Sequence, residues 1–119
     1  ERLLNAGDAL YANGADPKSR DFGRKLDYPP ESSALGYYRQ ALALEPDNAR
    51  AAAGIANLVA FYRRYAFEFC NTGRWVQCQV LVMKGQLIDP ADPYLQQLQD
   101  AAITGKEGGE PALPAPPAG

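Results

Sequence analysis

Two stretches 44 residues apart carry the same punctuation. Ala34, Tyr38, Ala41 and Pro46 stand at intervals of four, three and five residues; Cys78, Val82, Gly85 and Pro90 repeat those intervals. Each proline lies in a turn of one design, Glu45-Pro46-Asp47-Asn48 and Asp89-Pro90-Ala91-Asp92. Positions three and four apart share one face of a helix, so small residues there admit a neighbouring helix backbone. The larger residue between them fills the adjoining groove, and proline ends the helix. Self-similarity at a fixed offset marks an array of like supersecondary units, which constrains the chain to stacked helices.

The rest of the ordered sequence agrees. No alternating Val/Ile/Thr runs bounded by turns suggest a sheet. Five helices are predicted, over 2–13, 32–44, 49–71, 75–88 and 93–103. Gly14 and Gly73 serve as expected turn glycines, Ser32 or Ser33 caps the second helix, and Asp92-Pro93 opens the fifth.

This pattern resembles the second helix of the tetratricopeptide repeat (TPR) family. The first-helix positions also resemble it: Leu3, Ala6, Gly7 and Leu10 before Gly14, then Ala52, Ile55, Ala56 and Val59 before Gly73. The resemblance implies an all-α, TPR-like superhelical fragment over 1–103, with two antiparallel helix pairs and a C-terminal capping helix. Two departures stand out. About fifteen residues swell the first turn, the insertion 15–31, and the 44-residue proline spacing exceeds the family's roughly 34. The simplest account is a lengthened third helix of 23 residues, about 34 Å long. The same pairing is found in short TPR domains of bacterial envelope proteins, which this chain resembles.

In TPR arrays the first helices of successive units line a concave groove, so the resemblance points to the third helix as the ligand face. Arg50, Asn57 and Arg64 recur there every seven residues with Ala53 and Ala60 beside them, and Phe61 adjoins the stripe. Asn57 offers donor and acceptor to a peptide backbone, and the two arginines offer partners for carboxylates. A solvated charged face is the competing reading. TPR domains that clamp carboxylate tails carry Lys and Asn where this chain has Leu4 and Asp8, which disfavours that role. The third helix is apolar almost all round, and two and a half repeats fall short of the roughly three needed for independent stability. A homodimer, or continuation of the array in a longer protein, is therefore expected. The expected function is a non-enzymatic adaptor or scaffold domain that binds a polypeptide; the alternative is self-association without a peptide groove.

Composition excludes other classes. The 119 residues contain no histidine, which removes His-based triads, proton shuttles and most catalytic zinc sites. Twelve basic against fourteen acidic residues give a net charge of −2, which argues against nucleic-acid binding. No run approaches the ~18 apolar residues of a membrane span. No phosphate loop, nucleophile elbow or cluster of metal-ligating residues is present, so no cofactor or metal is expected.

Cys70 and Cys78 flank Gly73 on the seam of two antiparallel helices. A disulfide in an oxidising compartment and two small buried thiols in a reducing one both fit. The insertion places Lys18, Arg20, Arg24 and Lys25 among Phe22, Leu26 and Tyr28; the three apolar residues are expected to plug a gap beside the third helix. Residues 104–119 hold four glycines and four prolines and read as a linker. Pro111, Pro114 and Pro117 have the P-x-x-P spacing of SH3 ligands, but without a flanking basic residue the spacer reading is favoured. Glu1 in place of an initiator methionine suggests a processed or excised piece of a longer protein. A periplasmic or envelope location is the expectation, with the cytoplasm as the alternative.

Overall fold

A computed structural model describes residues 1–117; Ala118 and Gly119, the end of the expected linker, lie outside the described residues. The described chain is all-helical, with α1 (Arg2–Gly14), α2 (Ala34–Leu44), α3 (Ala49–Asn71), α4 (Trp75–Ile88) and α5 (Pro93–Lys106), and no strand among the described residues. It divides into two compact units, Glu1–Leu58 and Val59–Gly119, where a single helical domain over 1–103 was the expectation. In the first unit α1 packs on α2; in the second α4 packs on α5.

The repeated spacing has a matching structure inside each unit. Ala34, Ala41, Cys78 and Gly85 are all buried. Glu45 and Asp89, the residues before the prolines, take nearly the same extended conformation (φ −136°, ψ 90° and φ −132°, ψ 85°). That is the region proline imposes on its predecessor. Asn48 N–H then donates to Glu45 O at 3.0 Å, and Asp92 N–H to Asp89 O at 3.3 Å. Each turn ends in a cap for the next helix. Asn48 Oδ1 accepts from Ala51 N–H at 2.9 Å, and Asp92 Oδ1 accepts from Tyr94 and Leu95 N–H at 2.9 and 3.4 Å.

In the first unit the core is organised around Tyr38. Its buried ring lies against Gly7 and Gly54, where an added Cβ would stand 2.9 Å from Tyr38 Cε1 and 2.4 Å from Tyr38 Cζ respectively. Side chains at either glycine would displace the ring, so both are required for close approach. Gly14 differs from its expected role. It is the last residue of α1, not a left-handed stop, and an added Cβ would meet Arg24 O and Leu26 Cδ2, both at 2.7 Å.

The insertion is stitched to the helices it joins. Lys25 O and Leu26 O accept from Ala34 and Leu35 N–H, both at 2.8 Å, and Ser33 Oγ accepts from Gly36 N–H at 3.0 Å. Together they satisfy first-turn donors that a helix cannot satisfy itself. Ser32 N–H instead closes a turn onto Pro29 O, so α2 begins at Ala34 and not at residue 32. Gly23 (φ +79°) and Lys25 (φ +55°) turn the loop, and the Tyr28–Pro29 peptide bond is cis. Of the three expected plug residues only Leu26 is fully buried, next to α1 at Gly14; Phe22 and Tyr28 are exposed.

In the second unit Ala66, Cys70, Cys78, Val82, Leu95, Leu98 and Ala102 form one buried cluster with Tyr94. Cys70 and Cys78 are joined by a disulfide, their Cα atoms 5.2 Å apart. Gly73 (φ +76°) ends α3 in a Schellman motif: Arg74 N–H reaches Phe69 O at 2.8 Å, and Gly73 N–H reaches Cys70 O at 3.1 Å. The same motif ends α5 around Gly108 (φ +88°), with Gly109 N–H on Thr104 O and Gly108 N–H on Gly105 O, both at 3.0 Å. So α5 runs to Lys106, three residues beyond its expected end. Gly105 does not stop the helix; it leaves room for Trp75, whose ring would lie 2.3 Å from an added Cβ.

Candidate interaction surface

The expected ligand stripe on α3 divides between the two units, and its members meet different fates. In the first unit Arg50 is already engaged. Its Nη2 donates to Asp8 Oδ2 at 2.7 Å and to Asn5 Oδ1 at 3.0 Å, and Nη1 lies 3.9 Å from Glu1. Asp8 Oδ1 accepts the Tyr38 hydroxyl at 2.6 Å. That hydroxyl, then the guanidinium, hold the Asp8 carboxyl below its ordinary range. Burial first, and then the Asp8 carboxylate, push the Tyr38 hydroxyl well above the usual value, and the bond to Asp8 raises Arg50 in turn. A carboxylate ligand that takes Nη2 of Arg50 would have to displace Asp8. Ala53 and Asn57 are exposed.

In the second unit Arg64 is exposed and its guanidinium carbon lies 5.1 Å from the Tyr65 ring centroid. Ala60 is half-buried. Phe61 is buried, its ring 5.4 Å from Tyr62 and 4.7 Å from Tyr65. It is a packing residue here, where the stripe reading placed it beside the ligand face.

The surface that sequence reasoning missed is on α4. Val76, Val80, Met83 and Leu87 are between 43% and 71% exposed. Their spacing of four, three and four places them on one face, while Cys78, Val82 and Gly85 are buried on another. The only charged residue of the helix is Lys84. A helix apolar on two sides gave no amphipathic signal, and the buried repeat positions drew attention to one side alone.

A second polar anchor supports α5. Asp92 is buried; while Oδ1 caps the helix, Oδ2 accepts from Arg63 Nε at 2.5 Å and is paired with Arg63 Nη2. Both carboxylate oxygens are therefore satisfied by groups of opposite polarity. Beyond α5 the chain folds back. An open groove of about 470 Å³ is lined by Gln97, Asp100, Ala101 and Thr104 of the helix and by residues 111–114.

Among the described residues no helix is long and apolar enough to cross a membrane, and no three or more His, Cys, Asp or Glu side chains gather as a metal site requires. Comparison with protein-family models, with curated proteins and with solved structures finds no match.

Proposed function

We propose that this chain is a non-enzymatic protein-interaction domain that docks an amphipathic helix of another polypeptide on the exposed face of α4. The observation that carries this reading is the row Val76, Val80, Met83 and Leu87. Exposed apolar side chains at helical spacing form a stripe on which the apolar face of a second helix can pack. From Val76 to Leu87 the row rises about 16 Å, three turns of helix. That length suits a short helical ligand. The matched turns and buried small residues support a repeat architecture of the TPR kind. The disulfide supports an oxidising compartment such as the bacterial periplasm or envelope.

Selection of 15-residue peptides on the immobilised full chain tests the proposal. The expected ligands carry apolar residues at i, i+3/i+4 and i+7, and the double variant Val80→Asp/Met83→Asp abolishes their binding while retaining helical circular dichroism. If Arg50→Glu/Asn57→Ala abolishes binding instead, the ligand face is the α3 stripe. A wild-type chain that scatters light as a dimer, made monomeric by Val80→Asp/Met83→Asp, supports self-association in place of ligand binding.

A further inference from the structure

The segment after α5 is seated, although its composition is that of a spacer. The Tyr94 hydroxyl donates to Pro114 O at 3.0 Å, and Leu113 packs against the buried cluster of the second unit. Residue 114 thus meets the first turn of α5, whereas residue 109 is bonded to its last turn. The chain therefore runs back along the helix. The lengths agree: Tyr94 and Thr104 are separated by about 15 Å of helix, and an extended chain from residue 109 to residue 114 covers about 17 Å.

The contacts are of one chemical kind. Pro111 and Pro114 have no N–H, so this part of the segment offers carbonyl acceptors, and the α5 face supplies a hydroxyl donor. Leu113 is the single large apolar anchor, and no charged residue occurs in 111–117. Proline fixes φ, so docking a segment rich in proline orders little.

We propose that this face of α5 is a docking site for uncharged proline-rich polypeptide with an aliphatic-proline anchor, and that residues 111–114 are its resident occupant. A partner carrying such a segment displaces the tether and takes its place. Tethering gives the resident segment an effective concentration on the order of millimolar, against which a ligand in trans competes. The site is separate from the α4 row and stands or falls independently of it.

The test uses the full chain carrying Leu113→Glu, labelled with nitrogen-15, and an unlabelled peptide with the sequence of residues 110–117. The substitution is expected to move the Ala101 and Thr104 amide signals, and the peptide to return them towards the wild-type positions. The wild-type chain should need about tenfold more peptide for the same occupancy, because its own segment competes. A peptide in which the leucine is alanine should bind several-fold more weakly. Leu113→Gly provides the same release should Leu113→Glu lose helical content. Unmoved Ala101 and Thr104 signals in both variants, or no response to peptide at about 5 mM, overturns the proposal. If signals in the unmutated chain instead depend on protein concentration, and a labelled–unlabelled mixture exchanges segments, the occupant is a second copy and not a partner protein, and the proposal as stated fails.

Discussion

Asp8 and Tyr38, thirty residues apart, meet at 2.6 Å, the Tyr38 hydroxyl donating to a carboxylate that Arg50 also holds. A buried ring with an unpaired hydroxyl would carry a desolvation cost, so Asp8 makes a large aromatic tolerable between two glycines. Tyr38→Phe should cost about 1 kcal/mol in urea unfolding. Asp8→Asn should cost less than Asp8→Ala, since the amide oxygen still accepts.

The same pair sets an acid response. The folded Asp8 carboxyl lies below its ordinary value, so its stabilisation is fully present above about pH 4. It is lost as pH falls through the lowered value. Urea midpoints of the wild type and Asp8→Asn, measured between about pH 5 and 2, should therefore converge on acidification. A gap that widens at low pH contradicts the assignment.

At the alkaline end Tyr94 adds to the response of Tyr38: it is pushed up to about 12, chiefly by burial. A phenol raised in the folded state stabilises below its unfolded value of about 10, and that contribution disappears as pH climbs. The wild type should lose stability between about pH 10 and 12, and Tyr94→Phe should lose less over the same interval. Absorbance at 295 nm in native and denatured chains checks the late titration.

Gly54→Ala should be among the more damaging single-methyl changes. The new Cβ would stand 2.4 Å from Tyr38 Cζ, at a ring with Gly7 on another side. Overpacking of this kind costs about 1–3 kcal/mol. Ala53→Gly, one residue away and exposed, should cost at most about 1 kcal/mol through helix propensity. Thermal midpoints of the two variants decide between crowding and propensity.

The disulfide closes a short loop across the α3–α4 turn, for which the chain-entropy relation gives about 2–3 kcal/mol. Cys70→Ser/Cys78→Ser should lower the urea midpoint accordingly and make it insensitive to reductant. Asp92→Ala should cost about 2 kcal/mol through the lost cap and the stranded Arg63, and Asp92→Asn less, because its side-chain oxygen can still cap α5.

The helices were legible because their ends are written in local chemistry. The bounds of α3 and α4 follow from Asn48, Gly73 and Pro90, residues that act on their immediate neighbours. Where a small residue serves a distant contact, the local reading fails. Gly14 looks like a stop but accommodates Leu26, 12 residues away, and Gly105 inside α5 accommodates Trp75, 30 residues away. Arg50 reads as free on its own helix because Asn5 and Asp8, which engage it, are more than forty residues distant. The α4 row was hidden because its residues are as apolar as the buried side, and only exposure separates the two.

The placement of Trp75 has a practical corollary. The chain has one indole, and it rests in the notch that Gly105 leaves open and packs against the buried cluster of the second unit. Intrinsic fluorescence is thus a private optical reporter for that half of the molecule. Melting curves followed by tryptophan emission and by helical ellipticity sample different populations, and their superposition or divergence measures how cooperatively the two halves come apart.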